Sequence, residues 1–226
     1  MSGPEHVRPG WYTGLMTNRA AGEARQTGVV AFERMTERGK NHTIEEWLAQ
    51  PSERRLELID GELIEKAAPD GPHANSQGGV LEIFRPVFHR KPGGSGPSPG
   101  GWWILPEVDI LLGENGYRPD VAGWRRERSP TLPSGRPVVL RPDWICEVLS
   151  ESNRSNDTIH KLRRYHEAGV PHYWVLDPRG ATLTVFRFAP LGYQSVLVAD
   201  REQRVRAEPF EAIEVLVGAL LGDDPE

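Results

Sequence analysis

The chain has 226 residues, 27 Lys plus Arg against 32 Asp plus Glu, and a formal net charge of −5, a size that suits one domain with or without a loose tail. No run approaches the ~20 consecutive apolar residues that span a bilayer, the N-terminus shows no signal-peptide core, and a lone cysteine, Cys146, excludes an internal disulfide framework and any cysteine-rich zinc site. A cytoplasmic protein is expected, and the mild acidity confines any nucleic-acid contact to local basic patches.

In chain order, residues 1–35 are polar and aperiodic and read as a disordered extension ahead of a folded domain over 36–222. Thr43 with Glu46 makes a capping box before Ile44, Trp47 and Leu48, so a short helix is predicted that stops near Pro51. In RLELIDGELIE (55–65) the Asp60-Gly61 pair separates two short runs. It is the strongest hairpin signal in the chain, because the tight turn needs positive φ at both central positions. Val80, Leu81, Ile83, Phe84, Val87 and Phe88 recur at helical spacing over 73–90, with Pro86 bending the end. KPGGSGPSPGG (91–101) is a connector; it has no Lys-Ser/Thr pair and opens no helix, so it is not a phosphate-binding loop.

Strands are predicted at 102–105, 107–112, 119–124 and 137–140. WICEVLS (144–150) is a nearly continuous apolar run of the kind found in a strand covered on both faces. Ser155 or Asn156 caps a helix to Ala168, ended by Gly169 and Pro171. Strands at 173–177, 182–188 and 193–198 follow, then a small amphipathic helix around 210–221. The sum is an α/β domain with a mixed central β-sheet flanked by helices. A dinucleotide fold would need regular strand–helix alternation and a glycine fingerprint, and the chain has neither.

Glu147 lies among apolar neighbours on both faces of its strand, where an unpaired carboxylate would cost several kcal/mol. It must therefore meet a cation, act as an acid or accept several hydrogen bonds; a structural ion pair with an arginine is the plain alternative. Asp120 follows Pro119 at a strand start, with Asn115-Gly116 supplying a turn before it. Its plain alternative is a turn aspartate. As a pair on separate strands, the two acids could converge on one divalent ion; oxygen-only ligation suits Mg²⁺, with a phosphodiester completing the shell. Of 27 basic residues only four are lysines. Lys40, Lys66 and Lys91 sit in polar or turn-rich stretches and read as ordinary solvated side chains. Lys161, on the helix after the Glu147 strand, shares a face with Asp157 and Tyr165. It is either an exposed partner of Asp157 or an ammonium over the strand ends, where it would orient water and offset charge on phosphorus.

ELIDGELIE, RPDVA, EVLSESN, the Asp157–Lys161–Tyr165 spacing and AGVPHYWVLDP together resemble the Uma-type family of restriction-endonuclease-like proteins, grouped with the PD-(D/E)xK nuclease superfamily. The resemblance runs from about residue 43 to the C-terminus. It implies a mixed-sheet, restriction-endonuclease-like core, Mg²⁺ dependence (with Mn²⁺ as a substitute) and phosphodiester hydrolysis. By motif, Asp120 matches the Asp of PD and Glu147 the acid of (D/E)xK. The position two after Glu147 is Leu149, so the lysine is carried to Lys161 on the next helix. Ser150-Glu151-Ser152-Asn153 also departs from the family, which more often has a proline and a second hydroxyl residue after the first serine. The resemblance further implies auxiliary roles for Glu57, otherwise a strand-surface glutamate, and for His73, otherwise a helix cap.

Two segments oppose the global acidity. Residues 118–128 carry Arg118, Arg125, Arg126 and Arg128; residues 154–164 carry Arg154, Lys161, Arg163 and Arg164. Arg118, Arg125, Arg154 and Arg164 are expected to track nucleic-acid phosphates, DNA first; Trp124, if exposed, could stack on bases, though a tryptophan is more often core or interface. The histidines lack zinc-hydrolase spacing, Ser150 lacks elbow glycines, and no aromatic sugar platform flanks the acids. The expectation is a Mg²⁺-dependent endonuclease, dimeric by analogy; the alternative is an inactive nucleic-acid-binding or scaffold protein on the same core. Asp120→Asn is expected to abolish cleavage with little change in unfolding midpoint.

Overall fold

The structure is a computed structural model, described here for residues 41–93, 98–150 and 156–224. The expected N-terminal extension, Arg154 and most of the Ser150–Asn153 turn lie outside these residues, and so does the side chain of Asp157.

Local signals near the start of the fold act as their chemistry dictates. Helix α1 (Ile44–Leu48) opens with the complete capping box: Thr43 Oγ1 accepts from the Glu46 N–H, and Glu46 Oε2 accepts from the Thr43 N–H. Strands β1 (Leu56–Ile59) and β2 (Glu62–Glu65) form the hairpin, with Asp60 at φ 52° and Gly61 at φ 79° supplying the two positive-φ positions. Helix α2 (Gly71–Phe88) is capped by Asp70, whose carboxylate accepts from the His73 N–H at 2.9 Å, and Pro86 precedes its end by two residues.

The remaining strands are β3 (Trp102–Pro106), β4 (Ile110–Leu112), β5 (Asn115–Tyr117), β6 (Val121–Arg125), β7 (Trp144–Val148), β8 (His172–Asp177), β9 (Thr182–Arg187), β10 (Gln194–Asp200), β11 (Arg204–Val205) and β12 (Val215–Leu216). Helix α3 (Asn156–Glu167) links β7 to β8, and α4 (Val217–Leu220) follows β12. Six strands make the main sheet in the order β10-β9-β8-β7-β6-β3, mixed because β7 and β8 run parallel with α3 as their crossover. A second, antiparallel sheet of order β2-β1-β5-β4 had no counterpart in the sequence reading.

Several predicted elements shorten or move. Glu107 takes φ 51°, so the strand predicted from 107 begins only at Ile110. Asn115-Gly116 is strand rather than turn; the reversal falls one step earlier, where Gly113 sits at φ 62°. Residues 137–140 contribute only a bridge between Val138 and Ile110. The C-terminal helix is confined to 217–220, because Val215 and Leu216 pair with Arg204 and Val205.

Core packing follows the alternation of the main sheet. Trp144, Cys146 and Val148 of β7 face a cluster with Phe84, Phe88, Trp102, Trp174 and Phe210, while Ile145 faces Tyr117, Ala122, Trp124, Tyr165 and Tyr173 on the opposite side. Trp124 takes the core alternative and not the base-stacking one: it is fully buried and donates its indole N–H to the Leu140 carbonyl at 2.7 Å. Trp47 anchors α1 to the smaller sheet by lying over Gly116, whose added Cβ would come within 2.4–2.6 Å of the indole ring. Gly116→Ala is therefore expected to lower stability by about 1–3 kcal/mol through overpacking, read as a lower denaturant midpoint at unchanged m.

Candidate active site

Strand register brings the two acids together. Val121 pairs with Cys146 and Ala122 with Ile145, so continuing the antiparallel ladder sets Asp120 opposite Glu147. The same alternation that sends Cys146 into the aromatic cluster points both carboxylates to the other face. There α3 and β1 close over them. Lys161 and Tyr165, one helical turn apart, aim at Glu147, and Glu57 projects from β1 into the same space.

Asp120 is fully buried and completely engaged. Oδ1 accepts from Lys66 Nζ at 2.6 Å; Oδ2 accepts from the Val148 backbone N–H at 2.7 Å and lies 3.2 Å from His73 Nε2. A carboxylate only accepts, so His73 carries its proton on Nε2. His73 Nδ1 has no hydrogen-bond partner among the described residues. Burial pushes the Asp120 carboxyl up, but the Lys66 ammonium and the His73 contact outweigh it and hold the group well below its ordinary range.

Glu147 differs. Oε1 accepts from Lys161 Nζ at 3.1 Å and from the Tyr165 hydroxyl at 2.7 Å, while Oε2 lies 3.7 Å from Lys66 Nζ. Burial dominates here; the two lysines only partly offset it, Asp120 and Glu57 add to it, and the carboxyl is pushed up to about 7. Glu57 Oε1 accepts from Lys161 Nζ at 3.1 Å and from the Arg118 backbone N–H at 2.9 Å. It is buried, not a strand-surface glutamate.

Of the residues singled out in the sequence, Asp120, Glu147, Lys161, Glu57 and His73 thus meet in one cluster. Lys161 is buried, which removes the reading of it as an exposed salt-bridge lysine. The reading of Lys66 as a solvated side chain is corrected more sharply: it is buried and bonds Asp120 and the Arg118 carbonyl. Its signal was the scarcity of lysine in an arginine-preferring chain, but its neighbours in sequence are polar and its partners lie more than 50 positions away.

Among the described residues, Arg118, Arg125 and Arg164 do not form the expected phosphate-tracking rim. Arg118 turns inward, donating Nε to Asp109 at 2.6 Å and Nη1 to the Ser52 carbonyl at 2.7 Å. Arg125 lies at the opposite end of β6 from Asp120, its guanidinium 4.6 Å from the Trp102 ring centre. Arg164 is paired with Asp60 and Glu167.

Three oxygens converge on the Lys66 ammonium: Asp120 Oδ1 at 2.6 Å, the Arg118 carbonyl at 2.7 Å and Glu147 Oε2 at 3.7 Å. Two carboxylates and a carbonyl are the donor set of a hard divalent cation, and Lys66 Nζ stands among them as a positive charge already in place. By donor chemistry Asp120, Glu147 and the Arg118 carbonyl could hold an ion, although among the described residues no three His, Cys, Asp or Glu side chains gather as a metal site.

A family model described as "Putative restriction endonuclease" and named Uma2 matches residues 42–218. The chain belongs to the Uma2 family. No curated protein matches it. Among solved structures it is similar to a putative nuclease of the DUF820 family from Anabaena variabilis, with TM-score 0.64 and 22% identity over 79% of this chain and 97% of that one. That likeness shows a nuclease-like mixed α/β fold, the fold class expected from the sequence. Within this Uma2 chain, no helix among the described residues is long and apolar enough to cross a membrane.

Proposed function

We propose that the protein is a cytoplasmic, Mg²⁺-dependent endonuclease that hydrolyses phosphodiester bonds of DNA, with Mn²⁺ as a working substitute. The observation that carries the reading is the convergence of Asp120 and Glu147 on one cationic position, with Lys161 3.1 Å from Glu147. A bound divalent ion supplies Lewis-acid polarisation of the scissile phosphate. Asp120 and Glu147 would hold the ion. His73 fixes one oxygen of Asp120 and Tyr165 one oxygen of Glu147, so neither carboxylate turns freely. Lys161, clamped between Glu57 and Glu147, lines the cleft formed with Ala67, Pro69, Val148 and Ser150, and there sets a positive charge against the negative charge that grows on phosphorus. One such cluster serves one strand at a time, so a homodimer belongs to the proposal for duplex cutting.

Plasmid and single-stranded DNA and RNA, incubated with Mg²⁺, Mn²⁺ or EDTA, test it. Cleavage is expected with either metal, none with EDTA, and a loss of at least a hundredfold in Lys161→Ala. Cutting that persists in EDTA would overturn the reading. A second reading, an inactive nucleic-acid-binding or scaffold protein, draws on the internal neutralisation of Asp120 by Lys66. It requires salt-dependent binding without turnover on any substrate; binding in Ca²⁺ with cutting in Mg²⁺ separates the two.

A further inference from the structure

We infer that the Lys66 ammonium is a displaceable occupant of the cation position between Asp120 and Glu147, which Lys66 and a divalent ion take in turn. The inference rests on the proposed reading of those two acids as holders of an ion. Its first ground is volume. An ion such as Mg²⁺ requires oxygens at about 2.0–2.1 Å, and the oxygens it would use, Asp120 Oδ1 and the Arg118 carbonyl, already meet at Nζ, 2.6 and 2.7 Å away. Two cations cannot share that point.

The second ground is charge. Three carboxylates, Glu57, Asp120 and Glu147, face two ammoniums, Lys66 and Lys161, in a buried cluster. Exchanging one ammonium for a dication adds one positive charge to the buried cluster, where placing the ion beside both ammoniums would add two, so exchange is the less costly of the two.

The third ground is an exit. Lys66 opens the segment 66–70, which has no helix or strand, and Ala67, Ala68 and Pro69 beside it are exposed. Its own N–H donates to the Arg55 carbonyl at 3.0 Å, which holds the backbone, while its side chain borders the cleft beside that exposed segment. Lys161 borders the same cleft, but it is anchored on a helix face and held at 3.1 Å by both Glu57 and Glu147.

The test uses the full chain and Mn²⁺ alone, without nucleic acid, so it stands or falls apart from cleavage. Mn²⁺ is titrated by calorimetry into metal-free wild type and Lys66→Met, and amine acetylation is mapped by mass spectrometry with and without the metal. Only four lysines need be followed. Lys66→Met is expected to bind at least tenfold tighter than wild type. In wild type, Mn²⁺ is expected to raise acetylation of Lys66 several-fold and leave Lys161 protected. Equal affinity in the two proteins, no binding by the variant, or a Lys66 as protected with Mn²⁺ as without it would each overturn the inference. Should Lys66→Met not fold, the labelling of wild type decides alone. Displacement of Lys66 in a protein that cuts no nucleic acid would remove the nuclease reading and leave this one standing.

Discussion

Asp120→Asn is expected to abolish metal-dependent cleavage and, in the same protein, to lower stability by about 3–5 kcal/mol, the usual cost of removing one partner of a buried ion pair. For a domain of this size that is a fall in midpoint on the order of 10 °C. The loss arises because asparagine matches the shape of aspartate but is neutral and keeps one acceptor oxygen in place of two. If that oxygen accepts from Lys66, the amide NH2 is set against the Val148 N–H and His73; in either orientation the buried Lys66 ammonium loses its carboxylate counter-charge, with Glu147 Oε2 3.7 Å away. This replaces the expectation, drawn from sequence, of an unchanged midpoint: that expectation supposed a carboxylate projecting from a strand end, whereas Asp120 has no exposed surface. Thermal unfolding of the two proteins side by side checks it. A midpoint within 2 °C of wild type would show that Lys66 finds another partner at no cost.

The second large effect is a dependence on pH. With the Glu147 carboxyl raised from 4.5 to about 7, the folded protein keeps a proton over that window which the unfolded chain releases. Stability from this group is therefore highest below the ordinary value and falls as pH climbs towards 7, by about 3 kcal/mol in all. His172 acts in the opposite sense: burial lowers it from 6.5 to about 4, so its contribution grows as pH rises through that interval. Wild type alone would blend the two. The difference in unfolding free energy between wild type and Glu147→Gln, followed from pH 5 to 8, isolates the glutamate and should slope by up to about 1.4 kcal/mol per pH unit. A flat difference would mean that the lysines keep Glu147 ionised throughout.

What could be read in advance was what short stretches of chain decide for themselves. The Thr43–Glu46 box and the Asp60-Gly61 turn each depend on residues within three or four positions. Asp120, Glu147 and Lys161 were also legible, because acids in apolar strands and a rare lysine on the next helix are unusual locally. Glu57 and Lys66 were not. In β1 an alternating LELI pattern suggests one wet face, yet Glu57 is enclosed from across the fold by Lys161, 104 positions on. Arg118 misled as well: a basic residue before a strand looks exposed until Asp109 of a neighbouring segment claims it. Pairing across more than 50 positions fixed Glu57 and Lys66, and no window of sequence contains it; Asp109 is only nine positions from Arg118, brought to it by the reversal between β4 and β5.

Strand β7 carries a consequence beyond chemistry. Its five residues divide between two interiors, Trp144, Cys146 and Val148 on one side, Ile145 and Glu147 on the other. Inserting or deleting a single residue there would not merely shift the acid along the strand. It would drive a carboxylate in among Phe84, Trp174 and Phe210 and deliver a tryptophan or a thiol to the lysines. The strand is thus sensitive to count as well as to kind, and a change of length is expected to be absorbed only in the loops at its ends.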